Sequence, residues 1–138
     1  MADVDHIPRD SIQVRRGEFV AVWSAAERWH EDHVQRREPD WYGAGVIVVC
    51  RWLAAATVPL AGGGTRLARS LVTRTTRRAY AELVQAEALA AQVLDMQRPV
   101  PQWLSRRPGW MAGILATFDW AWWRSGARPV QVGDAAAG

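Results

Sequence analysis

Apolar residues in the first third of the chain recur at the spacing of one helix face. Between Ser11 and Arg37 this spacing is kept by Phe19, Val22, Trp23, Ala26, Trp29 and His30. Recurrence every three or four residues is typical of an amphipathic helix. The sequence "EPD" at 38–40 interrupts the pattern, and Asp40 has a suitable side chain for the N-cap of a following helix. We therefore predict one helix over 11–37 and a second that begins after Asp40.

The next segment, "WYGAGVIVVCRWLAAATVPL" at 41–60, is apolar on every side except at Arg51. Its length and Pro59 indicate a helix of about four turns, buried in a bundle. A strand over 46–49 is the alternative, but the alanine run after Trp52 favours a helix. A membrane span needs roughly 18 nearly uninterrupted apolar residues, and Arg51 lies near the middle of the segment. The pattern therefore favours a buried helix over a membrane span.

Two further helices follow a glycine-rich connection, "AGGGT" at 61–65. Helical spacing is firm from Arg74 to Gln97, and Pro99 and Pro101 end it. In the last helix, Pro108 fits the first helical position and Gly126 the position just past the end. The sequence therefore predicts an all-α fold, a compact bundle of about four main helices with flexible termini.

The chain of 138 residues has the length of one domain. We expect a flexible leader at 1–10, a single helical domain at 11–126 and a disordered tail at 127–138. The leader "MADVDHIPRD" is acidic and polar, and it lacks the basic and apolar regions of a secretory signal. The expected location is therefore the cytoplasm.

Charge gives only a weak indication of function. The chain has 17 basic residues, all arginine, and a net charge of +3. The isoelectric point near 10.0 reflects the high pKa of arginine more than an excess of positive charge. The lone Cys50 excludes an internal disulfide and a cysteine-rich zinc site, and its apolar surroundings predict a small buried side chain.

The stretch "ERWHEDH" is the most enzyme-like feature of the sequence. Glu27, His30 and His33 are three residues apart, which places them along one side of a helix. A di-metal bundle needs a second such pair from other helices, and the chain has only one further histidine, His6. The segment "AGGGTR" lacks the lysine and the frame of a phosphate-binding loop. We therefore predict no enzymatic activity, catalytic residue, metal, cofactor or small-molecule substrate.

A basic segment lies between the second and third main helices. Its arginines are Arg66, Arg69, Arg74, Arg77 and Arg78. Positive charge near a helix N-terminus is unfavourable, because the helix dipole is already positive there. A bound anion would offset that cost, and solvation or pairing with nearby acidic residues is the alternative. This segment supports one candidate function, that of an accessory protein that binds DNA or RNA.

One charge in the second helix requires a partner or access to solvent. Arg51 stands in otherwise apolar surroundings, and Glu87 projects onto the apolar face of the third helix. We therefore predict a buried ion pair between Arg51 and Glu87, with Asp119 as the alternative acid.

The last helix has more tryptophan side chains than one core face can bury. Projection over 110–124 places the core residues Met111, Ile114, Leu115, Phe118 and Trp122 in one sector. Trp120 and Trp123 lie outside it, beside the small residues Gly113 and Ala116. Exposed aromatic patches usually mark interaction sites, so we predict a partner interface at these four residues. The alternative is a central helix that the first two helices cover on both sides. The leading function is a non-enzymatic adaptor or regulatory subunit that contacts a second copy or another protein.

Overall fold

The computed structural model describes residues 12–54, 57–59, 65–67 and 81–132. Within these residues the chain forms five helices and two short strands. The elements are α1 (Arg16–Gln35), α2 (Trp41–Leu53), β1 (Thr57–Pro59), β2 (Thr65–Leu67), α3 (Ala81–Met96), α4 (Gln102–Ser105) and α5 (Trp110–Ala121). Helix α4 is a single turn, so the main helices are the other four. The prediction of an all-α fold with four main helices is confirmed.

Helix α1 begins later than the sequence predicts. The amide of Gln13 donates a hydrogen bond of 2.7 Å to the carbonyl of Ala121, at the end of α5. This contact holds 12–15 against α5 in a non-helical conformation, with Ile12 buried. At the other end, Arg37 has a φ of 57°, and the amide of Glu38 donates to the carbonyl of His33. A left-handed residue with such a bond is a common way to end a helix.

Helix α2 begins where the sequence predicts. A carboxylate oxygen of Asp40 accepts a hydrogen bond of 3.0 Å from the amide of Gly43. This bond satisfies one of the free amides in the first turn, so the N-cap prediction for Asp40 is confirmed.

Helix α2 has 13 residues, close to the four turns that the sequence predicts, although the apolar segment itself continues to residue 60. The helix stops at Leu53, and Thr57–Pro59 pairs antiparallel with Thr65–Leu67. Thr57 and Val58 are β-branched, and Pro59 has no amide hydrogen for a helical bond. These local preferences favour the short hairpin over a continued helix. Of the predicted glycine-rich connection, 61–64 lies outside the described residues.

Helices α2 and α5 are the most intimately packed pair. A Cβ on Gly45 would overlap the carbonyl oxygen of Trp110, and one on Gly113 would overlap the carbonyl oxygen of Tyr42. Each glycine therefore lets the backbone of one helix lie directly against that of the other. Helix α1 packs on α2, and α3 packs on α5. The core lies among these helices, with Trp52, Phe19, Phe118, Leu53 and Ile114 as its largest fully buried apolar side chains.

Helix α5 is shorter than predicted at both ends. Gly109, not Pro108, directly precedes the first helical residue, and its φ of 93° favours glycine. The helix ends at Ala121, and Trp122 and Trp123 lie beyond it. The turn is closed by a hydrogen bond of 2.7 Å from the amide of Ser125 to the carbonyl of Asp119. Trp123 is therefore not part of the helix, although it is exposed, in agreement with its predicted position outside the core sector.

Residues 127–132 pack against the helices, which corrects the predicted tail for this stretch. Arg128 donates a hydrogen bond of 2.9 Å to Glu18, and the hydroxyl of Tyr42 donates one of 2.6 Å to the carbonyl of Pro129. Val130 and Val132 pack against the core cluster. The remainder of the predicted tail, 133–138, and the predicted leader at 1–10 lie outside the described residues.

Among the described residues, none of the helices combines the length and the apolar character that crossing a membrane requires.

Candidate interaction surface

Helix α3 has apolar residues on two sides, and only one of them is covered. Its core side is formed by the buried residues Val84, Glu87, Ala88 and Ala91. Away from the core, Leu89 is 46% exposed, Val93 is 64% exposed and Met96 is 69% exposed. These three positions are four and three residues apart, so they follow one another along a single face. We call Leu89, Val93 and Met96 the α3 stripe.

Most positions beside the α3 stripe carry no charge, the exception being the exposed Asp95 next to Met96. Gln85, Ala86 and Gln92 are exposed, and none of them is ionisable. Glu87 is the one ionisable residue in the segment 83–94, and it is 1% exposed. The usual arrangement, with charge outside and apolar residues inside, is therefore reversed over this segment of the helix. In a protein in which 22% of residues are charged, the outer side of 83–94 exposes no charged residue.

Exposed apolar residues continue past the end of α3. Arg98 ends the helix by donating hydrogen bonds of 2.9 Å and 2.7 Å to the carbonyls of Asp95 and Gln97. Beyond it, Val100 is 42% exposed and Trp103 on α4 is 45% exposed. Further exposed apolar side chains therefore follow the α3 stripe along the chain, as far as α4.

Arg107 lies among three indole rings at the junction of α4 and α5. Its guanidinium carbon is 5.1 Å from the ring centroid of Trp110, 5.5 Å from that of Trp103 and 5.6 Å from that of Trp41. Trp103 and Trp110 also meet edge to face, with centroids 5.9 Å apart. Each distance is within the range of a cation–π contact. We call Arg107 with these three tryptophans the Arg107 cluster.

A cleft of about 210 Å³ adjoins the Arg107 cluster. Its polar lining comes from Asp95, Arg98, Ser105 and Arg107. Its apolar lining includes Val100, Leu104 and Met111. The cleft is therefore lined by basic, acidic, polar and apolar residues together.

The structure separates the four residues that the sequence assigns to a partner interface. Trp120 is 6% exposed and stacks on Phe19, with ring centroids 6.3 Å apart and planes at 3°. Gly113 lies against the backbone of Tyr42. Ala116 is half-buried, and Trp123 is 38% exposed beyond the helix. The prediction is wrong for Trp120 and Gly113, because α5 is the central helix and α1 and α2 cover those positions.

The predicted pair of Arg51 with Glu87 is also wrong. Arg51 lies 3.1 Å from each carboxylate oxygen of Glu27, on α1, and not against Glu87 or Asp119. Trp23 donates a further hydrogen bond of 3.1 Å to Glu27. The Arg51 side chain is 43% exposed, because the rim of the contact between α1 and α2 is open to solvent. Glu87 is buried on α3.

The three residues of the "ERWHEDH" stretch have separate partners. Glu27 bonds Arg51, and Nδ1 of His30 lies 3.0 Å from a carboxylate oxygen of Asp40. Nδ1 of His33 lies 2.9 Å from the carbonyl of Trp29. Across the residues that the structure describes, no three His, Cys, Asp or Glu side chains are grouped so that they could hold a metal ion.

Cys50 is fully buried, as the sequence predicts. Burial raises the pKa of its thiol, and the negative charge of Glu27 raises it further. A thiol that stays protonated is a poor nucleophile, so Cys50 acts here as a packing residue.

The basic segment contributes little to the described structure. Arg66 belongs to β2, where its backbone pairs with that of Val58. Arg69, Arg74, Arg77 and Arg78 lie outside the described residues, so the predicted anion site stays a prediction.

Sequence reasoning missed the α3 stripe, although its signal was present. The third helix was given one apolar face, and the remaining apolar residues at 89, 93 and 96 were not projected. The Arg107 cluster was missed too, although Trp103 and Trp110 flank Arg107 at helical spacing.

No protein-family model, curated protein or solved structure gives a significant match to this chain.

Proposed function

We propose that this protein is a non-enzymatic adaptor or regulatory subunit that acts through helix–helix contact, with the α3 stripe as the contact surface. The observation that carries the proposal is the exposure of Leu89, Val93 and Met96 on a helix whose one central charge is buried. A contiguous exposed apolar surface with a polar surround usually marks an interaction site.

The hydrophobic effect supports this use of the α3 stripe. Full burial of a Val, Leu or Met side chain stabilises by about 1.5–3 kcal/mol relative to full exposure. The three side chains are between 46% and 69% exposed, so each retains about half of that gain for a partner to use. Spacing of four and three residues is also the spacing at which one helix packs along another.

The occupant we propose for the α3 stripe is the same helix of a second copy. Two identical surfaces meet across a two-fold axis, so any charge on the face is placed near its own copy. Because the exposed positions of α3 from 83 to 94 carry no charge, this pairing brings no like charges together over that segment, and the exposed Asp95 lies at its end, beside Met96. Gln85 and Gln92, at the edges, have amide groups that both donate and accept hydrogen bonds.

Sedimentation equilibrium of the intact chain and two matched variants tests the proposal. Val93→Glu places a carboxylate on the α3 stripe, whereas Val34→Glu makes the same change on α1, at a position that is 55% exposed. We expect the unmodified chain and Val34→Glu to form dimers, and Val93→Glu to dissociate at least about tenfold more readily, equivalent to about 1.4 kcal/mol.

Circular dichroism supplies the folding control, because both variants change exposed positions and should keep the helical signal. A monomeric unmodified chain, or equal dissociation constants for the two variants, would contradict self-association through α3.

A further inference from the structure

The guanidinium of Arg107 is held by ring faces and has no carboxylate partner among the described residues. Arg51 and Arg128, in contrast, bond to Glu27 and Glu18. A guanidinium has five N–H donors. An indole face attracts the positive charge, but it does not replace the paired oxygen acceptors that a carboxylate offers to the N–H groups of arginine. The Arg107 cluster therefore fixes a cation in place and leaves its hydrogen-bonding capacity for another group.

The cleft beside Arg107 has the composition of a site for an acid with an apolar body. Two basic residues, Arg107 and Arg98, belong to its lining, and so does Ser105, whose hydroxyl donates a hydrogen bond of 2.9 Å to the carbonyl of Gln102. Leu104 and Met111, which are both buried, contribute apolar wall. The volume of about 210 Å³ exceeds that of an apolar cavity of about 150 Å³, which can hold benzene. A benzoate-sized molecule or one leucine side chain with its carboxylate matches this volume.

We propose that this cleft binds an apolar carboxylate, with the carboxylate on Arg107 and the apolar body against Leu104 and Met111. Arginine stacked on aromatic rings is pre-organised to bond a carboxylate through two parallel N–H groups. Two sources supply the same chemistry: a free small acid, and the C-terminal residue of a peptide. This inference does not depend on self-association through α3.

Asp95 is the unfavourable feature of the cleft, because its carboxylate repels an anion. Its side chain is exposed, which weakens the repulsion through solvent screening. Arg98 stays near it by donating to the carbonyl of Asp95. Because the cleft has both an acidic and a basic residue, neutralising Asp95 should strengthen the binding of an anion and neutralising Arg107 should weaken it.

The test uses tryptophan fluorescence, because Trp103 and Trp110 contact Arg107 directly. The intact chain is titrated with three probes: benzoate, N-acetyl-Gly-Leu as the free acid, and the same peptide as its C-terminal amide. Binding of benzoate and not of the peptide acid identifies a small-acid site. Binding of the peptide acid and not of the amide identifies a peptide C-terminus as the ligand.

Four variants assign the binding to the cleft. Arg107→Gln should weaken binding by about tenfold or more, whichever probe binds, because it removes the charge-assisted hydrogen bonds. Arg107→Lys keeps the cation over the rings but loses the two parallel N–H donors, so its affinity for the probe should lie between those of Arg107→Gln and the unmodified chain. Arg106→Gln removes the neighbouring exposed charge and should change affinity by less than about twofold. Asp95→Asn removes the repulsion and should tighten binding.

The Lys variant keeps the test decisive if Arg107→Gln unfolds. Equal affinity of Arg107→Lys and the unmodified chain would overturn the proposal, as would failure of benzoate and the peptide acid to change the fluorescence. A loss of affinity in Arg106→Gln as large as that in the Arg107 variants would also overturn it, since it would indicate general attraction to positive charge.

Discussion

The α-carbon of Gly113 lies so close to the carbonyl of Tyr42 that a methyl group on Gly113 would overlap that oxygen. The oxygen belongs to the backbone of α2 and cannot rotate away as a side chain could. The same relationship, reversed, joins Gly45 of α2 to the carbonyl of Trp110. The two glycines therefore set the distance between α2 and α5.

We expect Gly113→Ala and Gly45→Ala each to lower the free energy of unfolding by about 1–3 kcal/mol, the usual cost of overpacking a core. Alanine is the better helix former by about 1 kcal/mol, so the overlap must exceed that gain. Urea unfolding followed by circular dichroism measures the change.

Gly17→Ala is the matched control, because nothing lies within 4 Å of a Cβ at Gly17 in α1. It should be neutral or stabilising by up to about 1 kcal/mol. If all three alanine variants behaved alike, helix propensity and not helix contact would explain the results.

The ion pair between Arg51 and Glu27 should contribute little to stability. The two side chains are 43% and 32% exposed, and solvent screens such a pair. A double-mutant cycle with Arg51→Gln and Glu27→Gln should give a coupling energy of about 1 kcal/mol or less. Breaking a fully buried pair would cost about 3–5 kcal/mol.

The pair of Arg128 with Glu18 provides a comparison, since its side chains are 47% and 34% exposed. The two cycles should give similar coupling energies. A coupling of several kcal/mol for Arg51 alone would show that this pair is desolvated in solution.

Cys50 should make stability fall at high pH. Burial raises the pKa of the folded thiol above its ordinary value of 9.0, whereas the unfolded thiol ionises near that value. The folded state therefore keeps the thiol proton to a higher pH than the unfolded state. As the pH rises above about 9, the unfolded state loses this proton first, so the free energy of unfolding falls. The slope is about 1.4 kcal/mol per pH unit for one proton.

Cys50→Ala has no thiol that could titrate at this position. Burial also raises the pKa of Tyr42, but this tyrosine is present in both chains, so its effect cancels in the comparison. The stability difference between the unmodified chain and Cys50→Ala should thus shrink above pH 9. A difference independent of pH would show that the thiol titrates alike in both states.

Salt should separate the proposed adaptor function from the nucleic-acid alternative. The segment 83–94 of α3 exposes no charged residue, so we expect the dimer dissociation constant to change less than about threefold between low and high salt. Sedimentation at several salt concentrations measures this dependence.

Binding of DNA or RNA through Arg66–Arg78 would instead weaken by orders of magnitude over the same range. The combined change of Arg74, Arg77 and Arg78 to Gln should abolish such binding in a band-shift assay and leave the dimer unchanged. A dimer that dissociates steeply with salt would contradict a contact through the α3 stripe.

Features that depend on near neighbours along the chain could be predicted from the sequence. Helical spacing predicted the four main helices, Asp40 and Pro99 fell close to real helix boundaries, and the apolar run around Cys50 predicted its burial. Caps, spacing and chain-breaking residues act within about four residues, so their effect is local. The spacing of Leu89, Val93 and Met96 also predicts a second apolar face on α3, which the sequence analysis did not consider.

Which helix faces are covered depends on the packing of the helices and could not be predicted from the sequence. The small residues of α5 did indicate a close helix contact, but the neighbour is α2 of the same chain. Trp120 packs on Phe19, about a hundred positions away in the sequence, and Arg51 turns toward Glu27 on α1 instead of Glu87 on α3. Helical projection gives the direction of a side chain relative to its own axis. What it meets there depends on how the helices pack, and contacts between distant residues determine that packing.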